Sequence, residues 1–155
     1  TSFHWKALPW VWFEAVKVCK PMSAPLKFGY TIVYVPKVAD SLAFFEKAFG
    51  LKTRFLHDSG EYGELDTGAT TLAFASHTLG ASHFPQGYLE ASASRKPHGM
   101  ENALVCNNIS QAHAQALAAG ASELCAPELK PWGQSVSYVR CPDGSLVELC
   151  TAIGS

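Results

Sequence analysis

The chain has 155 residues, 48% of them hydrophobic and 16% charged. That is enough for one domain with a real core, and too apolar for a disordered chain. Twelve basic side chains against thirteen acidic ones leave a formal charge of −1. With no basic cluster, nothing in this balance attracts nucleic acid or an anionic membrane, and no run is apolar enough to span a bilayer.

Residues 1–26 read as an N-terminal extension. The stretch "TSFHWKALPWVWFEAVKVCKPM" carries three of the four tryptophans. Glu14 and Lys17 interrupt its apolar run, and no small-residue cleavage site follows, so it does not read as a signal peptide. Met22 is the more ordinary place for the domain to begin. The aromatic cluster Trp10, Trp12 and Phe13 is expected to pack on the domain or on a neighbouring chain, because free exposure of so much apolar surface is unusual.

A first unit spans residues 27–77. "KFGYTIVYV" is an apolar strand. "VADSLAFFEKAFG" is a helix with Leu42, Phe45 and Phe49 on one face and Gly50 at its C-terminal cap. "KTRFLHD" and "YGELDTG" are strands joined at Ser59-Gly60-Glu61, and "ATTLAFAS" is a further strand. Residues 78–99, rich in Gly, Ser, Pro and His, are a linker or flap.

The second unit, residues 100–155, repeats the order. "ENALVCN" is a strand. "ISQAHAQALAAGA" is a helix with Ile109, Ala112, Ala116 and Leu117 on a face, ending at Gly120. "SELCAPEL" is extended, and "QSVSYVRC" and "SLVELCT" form a closing hairpin across Pro142-Asp143-Gly144-Ser145. The halves share the pattern strand, helix, strand, strand, strand. This predicts an α+β fold of two βαβββ modules around one cleft, with helices covering one face of each sheet.

Glu148 raises the functional question, since a carboxylate within a strand needs a partner, a metal, a ligand or water. Strand alternation puts Leu146, Glu148 and Cys150 on one side and Val147, Leu149 and Thr151 on the other. Val147 and Leu149 are the better core pair, so Glu148 is expected to face the cleft. Tyr62 and Glu64 share a face, and the charge of Glu64 places that face on the cleft side. Arg54 is left open between cleft and surface. Trp132, between Pro131 and Gly133, either caps the core or lines the cleft. The five cysteines are widely spaced with no CxxC and read as reduced thiols of a cytoplasmic protein.

These residues resemble the vicinal oxygen chelate superfamily, the glyoxalase/bleomycin-resistance/dioxygenase proteins. "YTIVYVPKVADSLAFFEKAFGL" resembles its first strand and helix, "AQALAAGA" the end of its second helix, and "CPDGSLVELC" its closing hairpin. The resemblance runs from Lys27 to Ala152. It implies a U-shaped mixed sheet around the cleft and commonly a homodimer. It also implies four cleft positions that carry ligands in metal-using members, falling here on Tyr30, Ala73, Glu101 and Glu148. The usual ligands there are His or Gln, Glu, His and Glu.

Only the last is unchanged. Catalytic zinc, iron and nickel sites need about three protein ligands and favour imidazole, so no transition metal and no cofactor are expected. His98 is the one histidine near enough in sequence to Glu101 to rescue such a site. The cleft then offers Tyr30, Tyr62, Glu64, Glu101, Trp132 and Glu148 as ligand-binding residues. Aromatic surface with acidic groups suits an organic cation or a planar molecule carrying hydrogen-bond donors. The expected function is small-molecule binding of the bleomycin-resistance type. Alternatives are a metal-dependent lyase, isomerase or dioxygenase of the same superfamily, and a partner-binding module.

Overall fold

A computed structural model describes residues 24–154. The aromatic cluster expected at Trp10, Trp12 and Phe13 lies outside the described residues. The first module runs β1 (Tyr30–Val35), α1 (Val38–Phe49), β2 (Thr53–Leu56), β3 (Tyr62–Leu65) and β4 (Thr71–Ser76). A short helix, α2 (His77–His83), follows. The second module runs β5 (Asn102–Val105), α3 (Ile109–Ala119), β6 (Ser122–Leu129), β7 (Ser135–Arg140) and β8 (Leu146–Cys150). Each module forms a four-stranded mixed sheet, in the orders β1-β4-β3-β2 and β5-β8-β7-β6. The outer pairs β1–β4 and β5–β8 are parallel, and the remaining pairs are antiparallel. These are the two βαβββ modules that the repeated sequence pattern predicts.

Both helices end where the sequence places their glycine caps. Gly50 (φ 71°) and Gly120 (φ 119°) adopt the left-handed conformation and return backbone N–H bonds to Glu46 and Ala116. An L side chain at those dihedrals carries strain that glycine does not. In α1, Leu42 and Phe45 are buried and Phe49 packs partly buried against them. The helix lies so close to β3 that a Cβ on Gly63 would stand 2.7 Å from Leu42 Cδ1, which accounts for glycine in "YGEL".

One buried cluster serves both modules. Val35, Leu65, Leu72 and Phe74 of the first sheet join Val139, Val147 and Leu149 of the second, with Leu42, Phe45 and Ala116 of the helices among them. Full burial of each large apolar side chain contributes about 1.5–3 kcal/mol. The helix-free faces therefore hold the complementary residues of each strand, including Tyr30, Ile32, Glu64 and Glu148.

The linker is more structured than its composition suggests. Ser76 Oγ accepts from Leu79 N at 3.0 Å, capping α2. The segment after α2 then crosses to the second module as a strap. It is fastened where Tyr88 packs on Gly80, and again where Arg140 Nη2 donates to the carbonyl oxygens of Ser92 (2.7 Å) and Arg95 (3.3 Å).

Candidate functional site

The two sheets carry equivalent cross-strand rows on their helix-free faces. In the first, Ile32, Ala73, Glu64 and Phe55 stand side by side across β1, β4, β3 and β2. In the second the same row is Ala103, Glu148, Tyr138 and Cys125. Register thus makes Ala73 the counterpart of Glu148, and Tyr30, two residues before Ile32, the counterpart of Glu101, two residues before Ala103.

On the second sheet Glu148 is half-buried, flanked by the larger core residues Val147 and Leu149 that point the other way. Tyr138 Oη donates to Glu148 Oε1 at 3.4 Å, a long and weak bond. Burial raises the Glu148 carboxyl above the ordinary glutamate range. The neighbouring charge of Glu101 and a hydrogen bond with it push the same way, while the Tyr138 hydroxyl opposes them. The Tyr138 hydroxyl is raised too, first by burial and then by the charges of Glu148 and Glu101.

On the first sheet Glu64 is the hub. Arg54 donates to Glu64 Oε2 from Nη2 (2.7 Å) and Nε (3.1 Å), and from Nη2 to Thr71 Oγ1 (2.6 Å). Tyr62 Oη donates to Glu64 Oε1 at 2.9 Å. Burial, followed by this bond to Glu64, pushes the Tyr62 hydroxyl up to about 12. Glu64 is thereby neutralised within its own network. Tyr30 is 57% exposed and lies near Tyr62 and Arg54.

The six residues marked in the sequence therefore divide. Tyr30, Tyr62 and Glu64 form one group with Arg54, and Glu101 and Glu148 form another with Tyr138. The groups acting most strongly on Tyr62 all belong to the first module, and those acting on Glu148 and Tyr138 to the second. Trp132 lies in the β6–β7 loop, 62% exposed, with Nε1 donating to Gln134 Oε1 at 3.0 Å; it does not cap the core. Arg54 resolves as a network residue.

Sequence reasoning missed Tyr138. Counting equal steps to either side of Asp143 pairs it with Glu148, as the hairpin register confirms. His98 lines a cavity between the modules with Met100 and Asn102. Among the described residues no group of three or more His, Cys, Asp or Glu side chains is placed to hold a metal ion. Ala73 offers no donor atom, and Glu101, Glu148 and a neutral phenol do not fit the imidazole-rich set that zinc, iron or nickel requires.

The comparisons with known proteins agree with the geometry. No curated protein matches the chain in sequence. Among solved structures, a glyoxalase-related enzyme from Fulvimarina pelagi is similar, with a TM-score of 0.71 and 18% identity over 81% of this chain and 88% of that one. A glyoxalase/bleomycin resistance protein/dioxygenase family enzyme from Burkholderia phytofirmans PsJN gives 0.68 and 16% over 81% and 98%. A superfamily member from Sphaerobacter thermophilus gives 0.61 and 20% over 83% and 98%. At such identities these likenesses speak for the fold alone. The family model of the glyoxalase/bleomycin resistance protein/dioxygenase superfamily matches residues 27–149, and to that superfamily the chain belongs.

Proposed function

We propose that this protein binds a small organic molecule on the helix-free face of its second sheet. Glu148 and Glu101 would take a cationic or hydrogen-bond-donating group, and the ring of Tyr138 would lie against the body of the ligand. The observation that carries this reading is the carboxyl pair. Glu148 is half-buried beside a second carboxyl, and its nearest hydrogen-bond donor is one weakly placed phenol. An organic cation would relieve the repulsion and supply the missing donor. Trp132 and the first-sheet residues Tyr30, Tyr62 and Glu64 enter the reading as ligand contacts if the two faces meet across a homodimer. Exposed Tyr30, Ile32, Phe55 and Val105 on those faces support such association. A reducing, cytoplasmic setting suits the four described cysteines, all free thiols. Among the described residues no helix is long and apolar enough to cross a membrane.

Calorimetric titration with benzylammonium tests the reading. Binding to the native protein should weaken in Glu148→Gln by about 1–3 kcal/mol, the scale of a charge-assisted hydrogen bond. Equal affinity in both proteins would refute it. The raised carboxyl of Glu148 supports a second reading, acid–base turnover as a lyase or isomerase. Stoichiometric zinc, iron or nickel in the purified protein would instead restore metal-dependent chemistry to first place.

A further inference from the structure

A cavity of about 230 Å³ lies under the strap, between the edge of β1 and the β7–β8 turn. Its walls are mostly apolar: Ile32, Tyr34, Tyr88, Met100 and Leu146 contribute to them. Tyr34 and Tyr88 form an aromatic side, their ring centroids 5.1 Å apart. Tyr88 is held there by His77 Nδ1, 2.7 Å from its hydroxyl, and by Gly80, where a Cβ would come within 2.6 Å of that oxygen.

The end of the cavity at the turn has different chemistry. Ser145 lines it, is 6% exposed, and its hydroxyl has no hydrogen-bond partner in the protein. Arg140, 4% exposed, is the strand partner of Leu146 on β7 and does not itself line the cavity. Its Nη2 is used on the strap carbonyls, while Nε and Nη1 are buried without partners. Among the described residues no carboxylate forms an ion pair with it. The nearest candidate on the turn, Asp143, is committed elsewhere: Oδ2 accepts from Ser41 Oγ and Oδ1 from Ser145 N. A buried guanidinium without a counter-charge, on the strand partner of Leu146, and a buried hydroxyl without an acceptor, on Ser145, give this end a positive potential and unused donors. His98, on the strap side of the cavity, adds no negative charge.

We propose that this cavity is a second ligand site, taking a small organic carboxylate with an aromatic body, its carboxylate toward Ser145 and Arg140 and its ring between Tyr34, Tyr88 and Ile32. It adjoins the Glu148 face through Leu146, two residues along β8 on the same side, but its lining includes neither Glu101, Tyr138 nor Glu148, and it does not rest on that reading. The two sites have opposite preferences: the carboxyl pair selects a cation, and the strap cavity an anion.

Benzoate and its neutral isostere benzamide are the probes, followed by amide resonances in two-dimensional NMR of the full chain. Benzoate should shift Tyr88, Ser145 and Leu146 in a saturable manner, and benzamide should bind about tenfold more weakly, as expected when a charge-assisted bond is replaced by a neutral one. Ser145→Ala should weaken benzoate by about threefold or more. Ile32→Trp fills the cavity from a half-exposed strand position and should abolish the shifts. Arg140→Gln should bring benzoate down to the affinity of benzamide; should that variant fail to fold, Ser145→Ala and Ile32→Trp still decide. The proposal is overturned if benzoate leaves these resonances unmoved, if benzamide binds as tightly, or if Ile32→Trp binds benzoate unchanged.

Discussion

Ser41 Oγ donates to Asp143 Oδ2 at 2.8 Å, a bond between residues 102 positions apart. It joins the first turn of α1 to the closing hairpin and so ties one module to the other. A partly buried bond of this kind has a net worth of about 1 kcal/mol. Ser41→Ala should lower stability by about that amount in urea titration. Asp143→Ala should cost about 1–3 kcal/mol, because it also strips the acceptor from Ser145 N inside the turn. The double variant should lose less than the two single losses added together. Strict additivity would show that the residues do not act as a pair.

Gly144 is constrained twice. Its φ of 93° lies in the left-handed region, and a Cβ there would stand 2.3 Å from Ser92 N. The second constraint is backbone against backbone, so no side-chain rotation relieves it. Gly144→Ala should therefore destabilise by about 2 kcal/mol or more and lift the strap. Trypsin cleavage after Arg95 should quicken in the variant well beyond what its lowered global stability explains. An unchanged cleavage pattern would mean that the strap does not depend on this contact.

Glu148 gives stability a particular dependence on pH. Its folded pKa is raised, by burial first and by Glu101 second. The stabilising contribution is therefore fully present below the ordinary glutamate pKa, and is lost as pH rises through the elevated folded value. Glu148→Gln should leave acid stability unchanged and raise stability slightly at neutral pH. The same sign governs ligand binding: affinity for an organic cation should increase as pH climbs through that range, because ionised Glu148 is the form that attracts it. A variant less stable than the native protein at neutral pH would contradict the raised pKa.

Tyr62 should ionise late. Its hydroxyl is pushed up to about 12, by burial first and by the bond to Glu64 second, from an ordinary value of 10.0. Tyrosinate absorbance should show a high-pH component that Tyr62→Phe removes and that Glu64→Gln moves back toward the ordinary value. The neutral phenol's stabilising effect is present below the ordinary tyrosine pKa and fades as pH approaches the folded one. Loss of an early component in Tyr62→Phe would place the proton elsewhere.

The parts of this molecule that were legible from sequence are those set by short-range periodicity. Gly50 and Gly120 mark the helix ends because only the left-handed conformation closes them, and that preference is local. The face of Glu148 followed from alternation with Val147 and Leu149. Arg54 was ambiguous because the ladder shifts between Thr53 and Phe55, and a bulge breaks the simple count of two. The helix α2 was hidden in "HTLGASH" because its glycine and serine suit a loop; what stabilises it is the Ser76 cap and the seat that Gly80 offers Tyr88, a tertiary contact invisible to propensity. The division of the marked residues into two clusters depends on how the modules sit together, which no strand pattern encodes. Arg140 gave no warning either, since arginine at a strand end ordinarily reads as a solvated rim residue.

Arg140 holds the strap through hydrogen bonds to the main-chain carbonyls of Ser92 and Arg95, bonds that use neither side chain. The restraint is thus blind to sequence at both positions. Substitution there leaves the anchor intact, provided the backbone keeps its course, and the strap becomes a stretch where residues are free to drift while its path over the molecule is inherited. Variation of the strap's inward side chains, Tyr88 and Leu89 among them, would recast the cavity beneath without disturbing either sheet. In a fold built twice from the same unit, such a fixed path with interchangeable contacts is a natural place for one descendant to differ from another in what it holds.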